Sequence, residues 1–249
     1  MRRIMALALA TVVCVACLYA QAPQFKSQEE VDAFMLIQGA ATAQERASAG
    51  ADFIAKFPKS EAVGLASYMV MLSYQEMNDF DNMLLYGEMV LDNNPAAGVR
   101  TGTLISLANA IPTRTREFDL DKEEKLNKAE DYAKEAMNLI PTIPKMDPNL
   151  TDDQWLQTKM DFMSQCHEAI GSVMIKRENY PEAEASMRKA LEMSPSPAPY
   201  TRWQLATALS KQGKNEEAVE QLDQCTADGG FPTSGASDLC AQMKRNISN

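Results

Sequence analysis

Aromatic residues are scarce in this sequence, 7% of 249 positions, and it holds only 11 glycines and 12 prolines. A sandwich or barrel of many short strands needs frequent turn residues and strand-forming side chains between them, so that architecture is excluded. There is one histidine, His167. A metal ligand or a general base needs partners, no second histidine exists, and a packed or half-buried side chain is expected there. No glycine-rich phosphate loop occurs; Gly229-Gly230 is followed by Phe231-Pro232 and reads as a turn. Positive charge is short as well, and the net charge of −10 disfavours nucleic acid, whose phosphates an acidic chain repels. Acidity of this order is otherwise the ordinary solvated surface of a soluble protein.

What is present favours helix. Ala, Leu, Glu, Lys, Gln and Met, all good helix formers, dominate the composition. Residues 1–20 stand apart. Arg2 and Arg3 precede an uncharged run, residues 4–20, that is short for a membrane span and is followed at once by polar sequence. That pattern is expected of a signal peptide cleaved after Ala20; the rival is a lipoprotein site at Cys17, which would put a lipid anchor on the chain. Loss of Arg2 and Arg3 takes the net charge from −10 to −12.

Helix starts and stops can be read beyond that point. Ser27 with Glu30, Thr42 with Glu45 and Thr151 with Gln154 have capping-box spacing, in which a hydroxyl accepts from a free first-turn N–H and the longer side chain reaches back. Pro58, Pro95, Pro141 and Pro195 each follow an apolar helical pattern that a proline cannot continue. These stops recur at roughly forty residues with two helices between them, the period of a helical-hairpin array. One hairpin cannot bury its own apolar face, whereas stacked hairpins share a continuous core.

The clearest unit contains Gly171, Tyr180, Ala183, Ala190, Leu191 and Pro195. Gly171 and Ala183 are small where two helices approach most closely, and Tyr180 covers the turn between them. A second unit keeps the register through Leu205, Ala206, Gly213, Ala218 and Leu222. Partial units precede them: Tyr74, Asp79, Phe80, Leu91 and Pro95, then Ala129, Ala136, Leu139 and Pro141, the latter with an inserted loop at residues 112–121. These residues resemble the tetratricopeptide-repeat family over most of the chain after residue 20. The resemblance implies an all-α, right-handed helical-hairpin solenoid of about five repeats, at residues 27–58, 60–95, 96–141, 151–195 and 198–230. A capping helix is expected at 234–246.

The family also implies a protein- or peptide-binding scaffold without catalysis, cofactor or metal. Its groove is lined by the first helix of each hairpin, which in this register places Tyr68, Leu72 and Gln75 there, with Gln165, Glu168, Ser172, Tyr200, Trp203, Thr207 and Lys211. Trp203 has a second reading, as packing between neighbouring hairpins. Members that clamp a terminal carboxylate use Lys and Asn where Glu168 and Ser172 stand, so an anionic tail is disfavoured as partner. The predicted function is a binding scaffold exported to the periplasm or beyond. The alternatives are a lipid-anchored subunit of envelope assembly and, behind it, a small-ligand carrier or helical enzyme.

The remaining residues receive plainer readings. Cys225 and Cys240 can meet if the capping helix folds back, giving either a disulfide or two buried thiols, and Cys166 is expected in the core. The 16 methionines fall mainly at core spacings, with a few left for the groove. Glu123-Glu124 and Asp152-Asp153 suit helix dipoles at helix starts. The triplets at Asn149 and Asn246 match a glycosylation acceptor by short-motif coincidence.

Overall fold

The computed structural model describes residues 23–145, 147–194, 198–230 and 238–248; Cys17, Ala20, Pro195 and the start of the predicted cap at Ser234 lie outside them. The described residues contain eleven α-helices and no β-strand. In order these are α1 (Gln28–Gly39), α2 (Ala43–Lys56), α3 (Val63–Glu76), α4 (Phe80–Asp92), α5 (Ala97–Arg114) and α6 (Lys122–Leu139). They continue as α7 (Asp152–Lys176), α8 (Tyr180–Met193), α9 (Pro199–Lys211), α10 (Asn215–Ala227) and α11 (Leu239–Ser248).

The caps explain where several helices begin. Thr42 and Thr151 each accept from the N–H three residues on, at 3.1 and 3.2 Å, while Glu45 and Gln154 reach back to the cap N–H, completing both boxes. The first box is altered. Ser27 accepts from the Glu30 N–H, but the Glu30 carboxylate reaches one residue further back, to the Lys26 N–H at 2.6 Å. One sequence expectation is corrected. Pro112 does not open a loop: it lies inside the last turn of α5, buried, and the connection to α6 is only residues 115–121. A proline lacks the one N–H that its turn would use, and so near a C-terminus the helix closes around it, with the Thr115 N–H donating to the Ile111 carbonyl at 3.0 Å. The last described helix runs over Leu239–Ser248, overlapping the expected capping region, whose start lies outside the described residues.

Contacts divide the chain into two units, residues 1–104 with 142–150 and residues 105–141 with 151–249. In the first, α1 packs on α2, α2 on α3 and α3 on α4, and α3 also touches α1. The core there is Phe34, Ile37, Phe53, Leu65 and Ala66, with Phe53 edge-on to Phe34 at 5.5 Å. In the second, each of α6 to α10 packs on the next, and α9 touches both α7 and α11. Its C-terminal core joins Met187, Leu205, Leu209, Leu222, Cys225 and Cys240. Gly171 lies where predicted: a Cβ there would stand 2.7 Å from Met187 Cε, so the α7–α8 approach uses its missing side chain.

Three hairpins share one turn. Asn78, Glu178 and Gly213 have positive φ, 56°, 58° and 78°, each just past the residue that caps the end of α3, α7 and α9. In each, the next N–H closes back over the helix end: Asp79 to the Tyr74 carbonyl, Asn179 to Met174 and Lys214 to Leu209, at 2.9, 2.9 and 3.0 Å. This is the left-handed C-terminal cap that glycine favours. Glutamate in that conformation is strained. Glu178→Gly is therefore expected to stabilise the chain by up to about 1 kcal/mol, read as a higher denaturant midpoint. An unchanged or lower midpoint would show that the carboxylate compensates the strain.

Candidate partner-binding faces

The residues expected to line a groove lie on α3 in the first unit and on α7 and α9 in the second. Tyr68 is half-buried, its hydroxyl 3.3 Å from where a Cβ on Gly102 would be, and burial pushes its phenol pKa up. One and two turns on, Leu72 is 37% exposed and Gln75 is exposed. Beside them Arg46 reaches from α2 to Ser73 Oγ at 3.4 Å and Glu76 at 3.3 Å, tying the two helices across their exposed edge.

In the second unit three of the expected residues join one polar seam between α7 and α9. Thr201 Oγ1 donates to Glu168 Oε2 at 2.6 Å, and Gln204 Nε2 donates to Ser172 Oγ at 3.2 Å and to the Tyr200 hydroxyl at 2.5 Å. Burial raises the Glu168 carboxyl above its ordinary value, with the Thr201 hydrogen bond acting against it, and burial likewise raises Tyr200. Thr201 and Gln204 were missed by sequence reasoning. Gln204 was findable, because it stands four residues after Tyr200 and shares its helix face.

Trp203 and Thr207 lie beside the last helix. The Tyr200 and Trp203 rings stack at 6.0 Å, but Trp203 packs against the C-terminal core with Met243 and Ile247 of α11, and Thr207 Oγ1 lies 3.7 Å from Met243 Sδ. The capping helix covers them because α9 touches α11 much as it touches α7. Gln165 and Lys211 are exposed; the Gln165 carbonyl accepts from Asn109 Nδ2 at 3.1 Å.

At the α7–α8 turn, Arg177 reaches α6, donating to Glu123 at 3.0 Å, Glu130 at 2.5 Å and Asn127 at 2.5 Å. Burial alone would raise the Glu130 carboxyl, yet Lys134 and Arg177 hold it below the usual range. This cluster fastens one hairpin to the next.

The other candidates for chemistry are structural. His167 is buried, and burial together with Lys189 lowers its pKa. Cys166 is buried in the core, its thiol pushed up to about 12. Met71, Met83, Met174 and Met187 are buried, whereas Met35 and Met160 are exposed. Among the described residues no cluster of His, Cys, Asp or Glu has the arrangement of a metal site, and no helix is long and apolar enough to cross a membrane. Cys225 and Cys240 are joined by a disulfide, with Cα atoms 6.2 Å apart.

Paired helices, left-handed inter-helix turns and small residues at the close approaches together define an all-α helical-hairpin repeat protein with a tetratricopeptide-like fold. Among solved structures, this fold is similar to that of TTC0263, a thermophilic tetratricopeptide-repeat protein of Thermus thermophilus. The two are 17% identical, with 89% of this chain and 96% of that one covered, at a TM-score of 0.54. Weaker overlaps are found with Acl4, an assembly chaperone of RpL4 (14% identity, 90% and 96% covered, TM-score 0.42). The TPR2AB domain of yeast Sti1, solved with pHSP90, overlaps less (12% identity, 89% and 96% covered, TM-score 0.31). No protein-family model matches the chain, and no curated protein sequence does.

Proposed function

We propose that this chain is a protein- or peptide-binding scaffold that works after export, in the cell envelope or periplasm. The observation that carries the reading is the seam of Glu168, Ser172, Tyr200, Thr201 and Gln204. It fixes the spacing of two successive first helices of hairpins and so holds their outward face ready for a ligand. A pre-organised face loses less conformational freedom on binding than a mobile one. Along α7, Gln165 is exposed and Lys176 half-buried on that same helix side, and on α3 the exposed Leu72 and Gln75 offer apolar and amide contacts. The Cys225–Cys240 disulfide supports export, because such bonds persist in oxidising compartments. The uncharged run at residues 4–20 supports it from the sequence.

The test is site-specific photocrosslinking in the native cell, with the reactive side chain placed at Leu72 or Gln165 and, as control, at Glu192 on the exposed side of α8. A discrete adduct from the first two positions and none from the third is expected. Equal capture at Glu192, or none at Leu72 and Gln165, removes the first-helix faces as the binding surface. The intact mass of the same isolated chain reads its N-terminus: Gln21 fits a free exported scaffold, and an acylated Cys17 fits the lipid-anchored assembly subunit.

A further inference from the structure

The loop between α5 and α6 presents the two most exposed large hydrophobic side chains among the described residues, Phe118 at 94% and Leu120 at 108%. The loop is held. Lys176 Nζ donates to the Thr115 carbonyl at 2.8 Å, and the Arg116 N–H donates to Asp119 Oδ2 at 3.1 Å. Lys122 pairs with Glu117 at 2.9 Å, and Lys125 with Asp119 and Asp121 at 3.1 and 2.9 Å. The acidic side chains of this stretch are thus engaged in its own scaffold, while its two apolar side chains touch water. An ordered apolar pair set in a charged frame has the form of a binding anchor, since its side chains meet a partner with little left to order.

A receptor of matching chemistry exists on the same chain. Between α1 and α2 lies an open cleft of about 670 Å³ lined by Ala33, Met35, Leu36, Ala40, Ala49 and Phe53. Met35 and Leu36 are 42% and 67% exposed, and the small alanines leave depth for larger side chains. Of the charged residues lining the cleft, Lys56 is paired with Glu29 at 2.6 Å and Glu45 closes its capping box, which leaves Asp52 to meet Arg116, the exposed residue that leads the loop.

We propose that Phe118 and Leu120 of one copy dock into the α1–α2 cleft of a second copy. The contact is heterologous, joining different surfaces of the two copies, so each chain carries a free anchor and a free cleft for further addition. Two side chains and their rim fall well short of the roughly 1,000 Å² of a stable lone interface. The dissociation constant accordingly belongs at or above about 1 µM, the weak end for full-size contacts.

The experiment is sedimentation equilibrium on residues 21–249 across a wide concentration range. Three proteins are compared: the natural sequence, Phe118→Ser/Leu120→Ser, and Met35→Ser/Leu36→Ser. The natural sequence is expected to gain mass with concentration. Each double variant alone is expected to associate roughly thirtyfold more weakly, as for loss of a hot spot. Mixed one to one, the variants retain one intact anchor and one intact cleft, so the mixture must form dimers and stop there. The proposal is overturned by a natural chain that stays monomeric throughout. It is also overturned if only one double variant loses association, or if the mixture fails to dimerise. A parallel run with phosphatidylcholine vesicles covers the other occupant: vesicle binding that needs Phe118 and Leu120, with no self-association, assigns the loop to a bilayer.

Discussion

Replacing Cys225 and Cys240 together by alanine is expected to destabilise the C-terminal end of the second unit by about 3 kcal/mol, the effect of a cross-link that closes a fifteen-residue loop. The bond joins α10 to α11, and both sulfurs are fully buried in the cluster that holds Leu205, Leu209 and Leu222. Without it α11 is ten residues long, too short to persist as a helix by itself, and keeps the packing of Met243, Ile247 and their neighbours and the Lys244–Asp223 ion pair to α10. Hydrogen exchange separates this from general weakening. Amides of α11 should lose most of their protection and those of α10 part of it, while α2 and α3 exchange as before. Full protection of α11 in the variant would mean that packing alone secures the helix.

The second large effect is expected in the first unit, at Gly50. A Cβ built there would lie 2.2 Å from Val70 Cγ2, and Val70 is fully buried. Valine is stiff about its first torsion and cannot swing aside as Met187 can opposite Gly171. Gly50→Ala should therefore cost about 1–3 kcal/mol through overpacking, although alanine is the better helix former by up to about 1 kcal/mol. Val70→Ala opens the space, so the double variant should be less destabilised than the sum of the two singles by about 0.5–3 kcal/mol. Additive effects in a denaturant-unfolding cycle would place the strain of Gly50→Ala somewhere other than Val70.

Gly50 also shows where the sequence stops being readable. Gly171 stood out because its neighbours carry a family pattern; Gly50 lies in the first hairpin, where that pattern is nearly absent, and only the α2–α3 approach reveals its role. Capping residues and proline stops were legible because their chemistry is local. Pro112 misled because a proline in a last turn costs less than one in mid-helix, and the position of α5's end is set by burial of Ile111 and Thr115. The turn residues Asn78 and Glu178 gave no glycine to mark positive φ.

The binding faces divided along the same line. Helical periodicity gives the side of a helix on which a residue stands, and Glu168, Ser172 and Tyr200, assigned on that basis to the concave face, lie within reach of one another. It does not say which helix lies opposite. Trp203, read either as a groove residue or as packing between hairpins, and Thr207, read as a groove residue, both lie against α11, the expected capping helix.

That closing helix has a consequence for the order in which the molecule is completed. It follows the hairpins along the chain, and Leu205, Leu209 and Trp203 have no cover from it until residue 240 has arrived and met Cys225. Earlier hairpins can settle against their predecessors as they emerge, but the fifth must wait with an apolar edge turned to solvent. The interval between its arrival and disulfide closure is then when the young chain is most open to wrong partners, and an oxidant that acts quickly shortens it.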